Sequence, residues 1–342
     1  MAVLQSELVM YRSLTENDTS ANGGHRSYNE IPRSSSQNLF GSVFEQERTD
    51  GSSTVRFAYT CNHNTSRASA QNMRIWVDNE TTADDYVYFV IKDQGDTAAD
   101  ITGSEQLYSV ANLSTDASAG ATTLIVTFPT PDAADTYSRT LTTSIGDTDL
   151  IRITNKLYPD STTGTTETKT VSGAPVVASN QVTITISTAL ENAYTVASGT
   201  RVSLIHEAGT VVANYDSLVK TSAGGTIDDT TYPILMDNVG TIEDTWTILF
   251  SDATTFTVSG ARTGAIASGT TASDYEPANS GASALYFTVS SGFWGGTFVN
   301  GDTVVFDTHD SSVLPVFNRV IPAGAGTFST NRCTVGISCE SV

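Results

Sequence analysis

Apolar and polar positions alternate with a period of two along most of this chain. Short clusters of Gly, Ser, Thr, Asn and Asp interrupt the alternation. The stretch "TWTILFSDATTFTVSG" (245–260) is representative: Trp246, Ile248 and Phe250 share one side, Ser251, Asp252 and Ala253 interrupt, and Phe256 and Val258 resume. Successive side chains of a strand point to opposite faces, so this pattern predicts a hairpin with one apolar face. Runs rich in β-branched and aromatic residues predict further strands at 54–61, 73–79, 85–93, 122–128, 149–155, 167–173, 181–187 and 200–206. In the C-terminal third the same signal falls on "ALYFTVSS", "GDTVVFDT", "LPVFNRVI" and "RCTVGISC", with turns at "STTGTT", "SAGG", "NSG" and "VNGD". The best helical candidate is short, "GSVFEQER" at 41–48. The expected fold class is therefore all-β, built from β-sandwich or barrel domains.

Composition divides the chain into blocks. Residues 1–40 read as an extended N-terminal arm, polar and rich in Gly and Ser. Residues 41–111 and 220–342 carry the aromatic strands and read as a main β domain with a shared core. Residues 112–219, rich in Thr, read as an inserted β-sandwich module; three independent domains are the alternative. Two short echoes, "GDTDLIRI" with "GDTVVFDT" and "TKTVSGA" with "TFTVSGA", suggest duplicated strand pairs.

Charge narrows the function classes. The 342 residues include 37 acidic and 17 basic side chains, giving a net charge of −20. Such a surface repels phosphate backbones and anionic lipid, so neither nucleic acid nor membrane is an expected partner. It also repels identical copies unless an interface or bound cations offset the charge. No apolar run reaches the length needed to span a bilayer, and the opening "MAVLQSELVMYRS" lacks the basic and apolar regions of a secretion signal. Three cysteines, Cys61, Cys333 and Cys339, fit a reducing compartment rather than a disulfide framework.

Candidate chemistry is sparse. The turns "TADDY", "DQGDTAAD", "GDTD", "IDDTT" and "DTHD" offer paired carboxylates of the kind Ca²⁺ takes, without EF-hand spacing; Asp in such turns ordinarily caps the backbone. Cys61 and His63 are two apart, but no second pair stands at zinc-ligand spacing. His309 lies between Asp307 and Asp310, yet no nucleophile elbow, P-loop or dinucleotide fingerprint accompanies it. No catalytic residue, cofactor or metal site is assigned, and the chain reads as a non-enzyme. Arg12, His25, Arg26 and Arg33 place positive charge on an acidic chain and are the expected subunit contact, docking on an acidic neighbour such as another copy.

Three stretches together carry a resemblance. They are "YRSLTENDTSANGGHRS" leading to "NLFGSVFEQERTDGSSTVRFAYTCNHN", the central "TETKTVSGAPVVASNQVTITISTALENAYT", and the terminal "TWTILFSDATTFTVSG", "FWGGTFVNGDTVVFDTH", "PVFNRVIPAGAGTFSTN" and "GISCESV". The chain resembles virion structural proteins of tailed bacteriophages, those of Mu-like and related phages. It departs from the family pattern at His25, which separates the Gly-Gly pair from Arg26, and at its last four residues. The resemblance implies a non-enzymatic virion component, assembled in the host cytoplasm as a ring or stacked rings of the tail (tube, baseplate or neck). Its implied partners are copies of itself and other phage structural proteins. A capsid decoration or a host-receptor-binding spike is the alternative, with Phe293 and Trp294 as the aromatics to examine. A tailspike-like glycan hydrolase using Asp307 and Asp310 is a third reading.

Overall fold

Strand formation follows the alternation closely where one face is apolar. The computed structural model describes residues 2–33, 38–79, 81, 83–128, 145–156, 163–178, 181–328 and 332–340. Ser161 and Thr162 of the "STTGTT" turn, and Ser341 and Val342 of the terminal motif, lie outside the described residues. The hairpin expected at 245–260 is present as Asp244–Phe250 paired antiparallel with Thr255–Gly260, Phe250 opposite Phe256. Its five apolar inward residues are all buried. Asp252 closes the turn by accepting the backbone N–H groups of Thr254 and Thr255, both at 2.8 Å.

The fold is all-β, with several large antiparallel sheets. A five-stranded sheet runs Gly23–Glu30, Leu8–Thr15, Ser52–Asn62, Ser312–Ile321, Tyr86–Lys92. A nine-stranded sheet runs Val176–Ala178, Gln181–Thr185, Thr123–Thr127, Val110–Leu113, Arg201–Val211, Ala70–Asn79, Thr334–Glu340; Leu150–Thr154 pairs with Arg201–Val211 and with Thr166–Thr170. A second five-stranded sheet runs Asn214–Thr221, Thr303–His309, Asp244–Phe250, Thr255–Gly260, Gly264–Thr270. Among the described residues no sheet closes on itself, so the barrel half of the sequence expectation finds no counterpart. The helix lies at Glu45–Asp50, a few residues later than its sequence signal, because the Glu47 carboxylate accepts the N–H of Phe44 and fixes the start there.

Two stretches of the N-terminal block are strands of the first sheet. Leu8–Thr15 pairs with both Gly23–Glu30 and Ser52–Asn62, and Leu8, Val9 and Tyr11 are buried. The largest core cluster joins side chains of this sheet, such as Tyr59, Tyr88 and Val316, to Ile151, Ile184 and Leu204 of the nine-stranded sheet. Residues 213–306 supply a separate cluster centred on Trp246, Phe250, Phe287 and Phe306. Burying each such side chain contributes about 1.5–3 kcal/mol.

The echoes do not repeat one pairing. Leu150–Thr154 pairs directly with Thr166–Thr170, whereas Thr303–His309 is separated from Thr255–Gly260 by Asp244–Phe250. "ALYFTVSS" is split into Ala284–Leu285 and Phe287–Thr288, each in its own two-stranded ribbon.

The chain crosses from the first two sheets into the third after Val211 and returns at Asp310. Asn62 ties the two crossings together. Its backbone N–H donates to the Ser311 carbonyl at 2.9 Å, and its side-chain amide to the Val211 carbonyl at 3.0 Å. Ser311 Oγ and Asn238 complete a buried polar seam: Ser311 donates to the Asn62 and Asn238 carbonyls, and Asn238 receives the Ala213 N–H.

Candidate functional site

At one end of this seam a cleft of about 540 Å³ opens between the strand Gly23–Glu30 and the third sheet. His25 forms one wall, and Glu243, Thr245, Arg262, Asp307 and His309 face it. Sheet register brings the opposite wall together. Asp244 stands opposite Thr308 and Thr245 opposite Asp307, so the acidic start of one strand lies beside the "DTHD" end of its neighbour. The strand Asn214–Thr221 adds Asp216, opposite Asp307.

His309 is held from both ring nitrogens. Nδ1 lies 2.6 Å from Glu243 Oε1 and Nε2 lies 3.4 Å from Asp216 Oδ2. Burial alone pulls its pKa down, but the hydrogen bond and charge of Glu243, then those of Asp216, outweigh it and leave His309 above the ordinary histidine value. A histidine raised by folding adds stability that is complete below its unfolded value and fades as pH climbs through the folded one. Since His309 is about one-third exposed, the contribution is under about 1 kcal/mol. Urea unfolding between mildly acidic and mildly alkaline pH is expected to lose this increment in the native protein and not in His309→Gln; equal pH slopes in the two would refute the pairing.

His25 behaves oppositely. Burial first, then the nearby Arg262 guanidinium, depress its pKa, so it faces the cleft as a neutral imidazole. Its Nδ1 is buried without a hydrogen-bond partner. The ring packs over Gly95, which has φ +91°; a Cβ there would stand 3.0 Å from the ring, so this wall requires glycine. Asp244 is fully engaged inside the chain, accepting the N–H groups of Arg262 and Thr263 and the Thr263 hydroxyl across Gly260. A Cβ on Gly260 would meet that carboxylate at 2.3 Å.

The four residues expected at a subunit contact all find positions within their own chain. Arg26 is buried, its Nε 2.9 Å from Asp310 Oδ2, its other donors near the carbonyls of Val239 and Thr241, and its guanidinium 5.3 Å from the Tyr11 ring. Arg12 pairs with Glu16 and reaches the Asn38 carbonyl. Arg33 donates to the carbonyls of Gln5 and Leu8. Of the four, His25 alone lines the cleft. Glu243, Asp216 and Arg262 belong to the site and carry no local sequence signal, because only the pairing of distant strands assembles them.

Among the remaining candidates, most of the turn aspartates bond within the chain. Asp84, Asp96, Asp100, Asp149 and Asp228 each accept a backbone N–H, while Asp229 receives the Tyr215 hydroxyl. Among the described residues no three His, Cys, Asp or Glu side chains converge as metal ligands. Burial pushes the Cys61 thiol up to about 12, and His63 lies beyond the strand end against Tyr11. None of the three cysteines forms a disulfide. Phe293 is fully buried and Trp294 packs edge-on to Phe250, Phe293 and Phe298, so this pair offers no open aromatic platform. The Asp310 carboxylate is taken by Arg26 and Ser312, and Asp307 accepts the Thr245 hydroxyl. No helix among the described residues is long and apolar enough to cross a membrane. No known family model, curated protein or solved structure matches this chain.

Proposed function

We propose that this chain is a non-enzymatic structural component of a tailed-bacteriophage particle, assembling with its own copies and other phage proteins as a ring or stacked rings in the tail. In this reading the first two sheets pack as a sandwich, residues 112–219 are an inserted module, and the protein assembles in the host cytoplasm before residing in the virion. The observation that carries the reading is a sheet edge left unpaired among the described residues. Val176–Ala178 is the terminal strand of the nine-stranded sheet, exposed at every position, with Val176 64% and Val177 42% exposed. An exposed strand edge of this kind is one that assembling proteins extend by pairing with a neighbour's strand. The resemblance of the N-terminal, central and terminal stretches to phage structural proteins supplies the setting.

The test is electron microscopy at two levels. Negative-stained purified protein is expected to form closed rings, and gold-labelled antibody to decorate one level of the phage tail. A chain that stays monomeric at high concentration and labels no particle overturns the proposal.

A further inference from the structure

The second five-stranded sheet has one apolar face turned to its core and an opposite face that is open. Residues paired across strands share a face. One outward row is therefore Val219, Val305, Thr247, Ser259 and Ala265. The next is Thr221, Thr303, Leu249 and Thr257. Neither row contains an ionisable residue, in a chain with 37 acidic side chains. Val219 is 57% and Leu249 44% exposed. Charge returns at the strand ends: Asp216 and Asp307 pair at the cleft end, and Asp252 sits in the hairpin turn at the other.

We propose that this face binds the same face of a second copy, sheet upon sheet. Copies of a strongly acidic chain repel each other, and the repulsion is least where the surface is uncharged. A two-fold axis lying across the strands carries the Asp216–Asp307 row of one copy to the opposite end from that of the other, which keeps those two rows apart. Five strands about 4.8 Å apart and two uncharged rows about 7 Å apart cover roughly 300 Å² per copy. The pair thus buries about 600 Å² or somewhat more, below the standard size of specific interfaces and matched to a weak, concentration-dependent contact. The inference rests on the self-association part of the proposed function: strand edges close a ring, and this face joins one ring back to back with another.

The experiment is sedimentation velocity of the full chain over about 1–100 µM, a range spanning contacts of this size. The native protein is expected to sediment with twice the mass of Leu249→Glu, because two buried carboxylates then face each other near the axis and weaken the contact by about 100-fold or more. Thr247→Lys is the second variant, expected to halve the mass in the same way, and far-UV circular dichroism checks that both stay folded. Added salt is expected to strengthen the native contact by screening the repulsion. Unchanged mass in both folded variants overturns the face and leaves ring assembly standing. A native protein that is monomeric throughout overturns both.

Discussion

Replacing Arg26 with methionine is expected to lower the unfolding free energy by about 3–5 kcal/mol, the usual cost of stranding one member of a buried ion pair. The side chains of Arg26 and Asp310 are only 5% and 3% exposed, and they meet at 2.9 Å. Removing the guanidinium leaves a carboxylate in a dry site with only the Ser312 hydroxyl and nearby seam groups to solvate it. Removing both charges is different. Arg26→Met with Asp310→Leu is expected to recover most of the loss, since apolar replacements of matched volume spare both desolvation costs. Urea unfolding followed by tryptophan fluorescence and circular dichroism measures the cycle. A single variant within about 1 kcal/mol of the native protein would show that the pair contributes little to holding the strand Gly23–Glu30 on the third sheet. The two probes add a second readout. Two of the three tryptophans, Trp246 and Trp294, lie in or against the core of residues 213–306. Loss of the Arg26 link is therefore expected to separate their transition from that of the whole chain.

The second large effect is at Trp246. Its ring is fully buried, packs against Tyr286 and Phe287, and donates its indole N–H to Thr308 Oγ1 at 2.9 Å. Trp246→Ala removes the largest fully buried side chain among the described residues and opens a cavity, with an expected loss of about 3–5 kcal/mol. Trp246→Phe refills much of that space but leaves Thr308 without its donor, so a smaller loss of about 1–2 kcal/mol is expected. Chemical denaturation of the two variants distinguishes packing from hydrogen bonding. Equal losses would mean that the indole N–H contact, rather than ring volume, dominates at this site.

The sequence made the hairpin around Trp246 legible because its inward positions from Trp246 to Val258 are apolar and the outward ones are polar or exposed. It hid the strand Gly23–Glu30 for the converse reason. That strand buries Arg26 and Ser27 and exposes Tyr28, so its alternation runs against hydrophobicity. The positive charge of Arg26 was visible, while its partner across the fold was not. A charge that looked available for a neighbouring subunit is engaged by Asp310, which lies at the return crossing. The cleft was half legible: His309 and Asp307 stood together in "DTHD", but Glu243 and Asp216 reach them only through strand register. Asp96, Asp100, Asp149 and Asp228 were readable as backbone caps, since the N–H groups they accept from lie three residues away, whereas Asp84 accepts the N–H of distant Gly326.

The place of Ser312–Ile321 in the first sheet has a consequence for synthesis. This strand lies between Ser52–Asn62 and Tyr86–Lys92, so an interior strand of the sheet is the last part of it to be made. More than two hundred residues separate Lys92 from Ser312. At about 5–20 residues per second, the ribosome leaves those two flanking strands without their common neighbour for roughly 10–40 s. During that interval the nascent chain presents unpaired strand edges to every other copy on the same message. Until Ser312–Ile321 is inserted, those edges are open to pairing between copies, the usual route to aggregation.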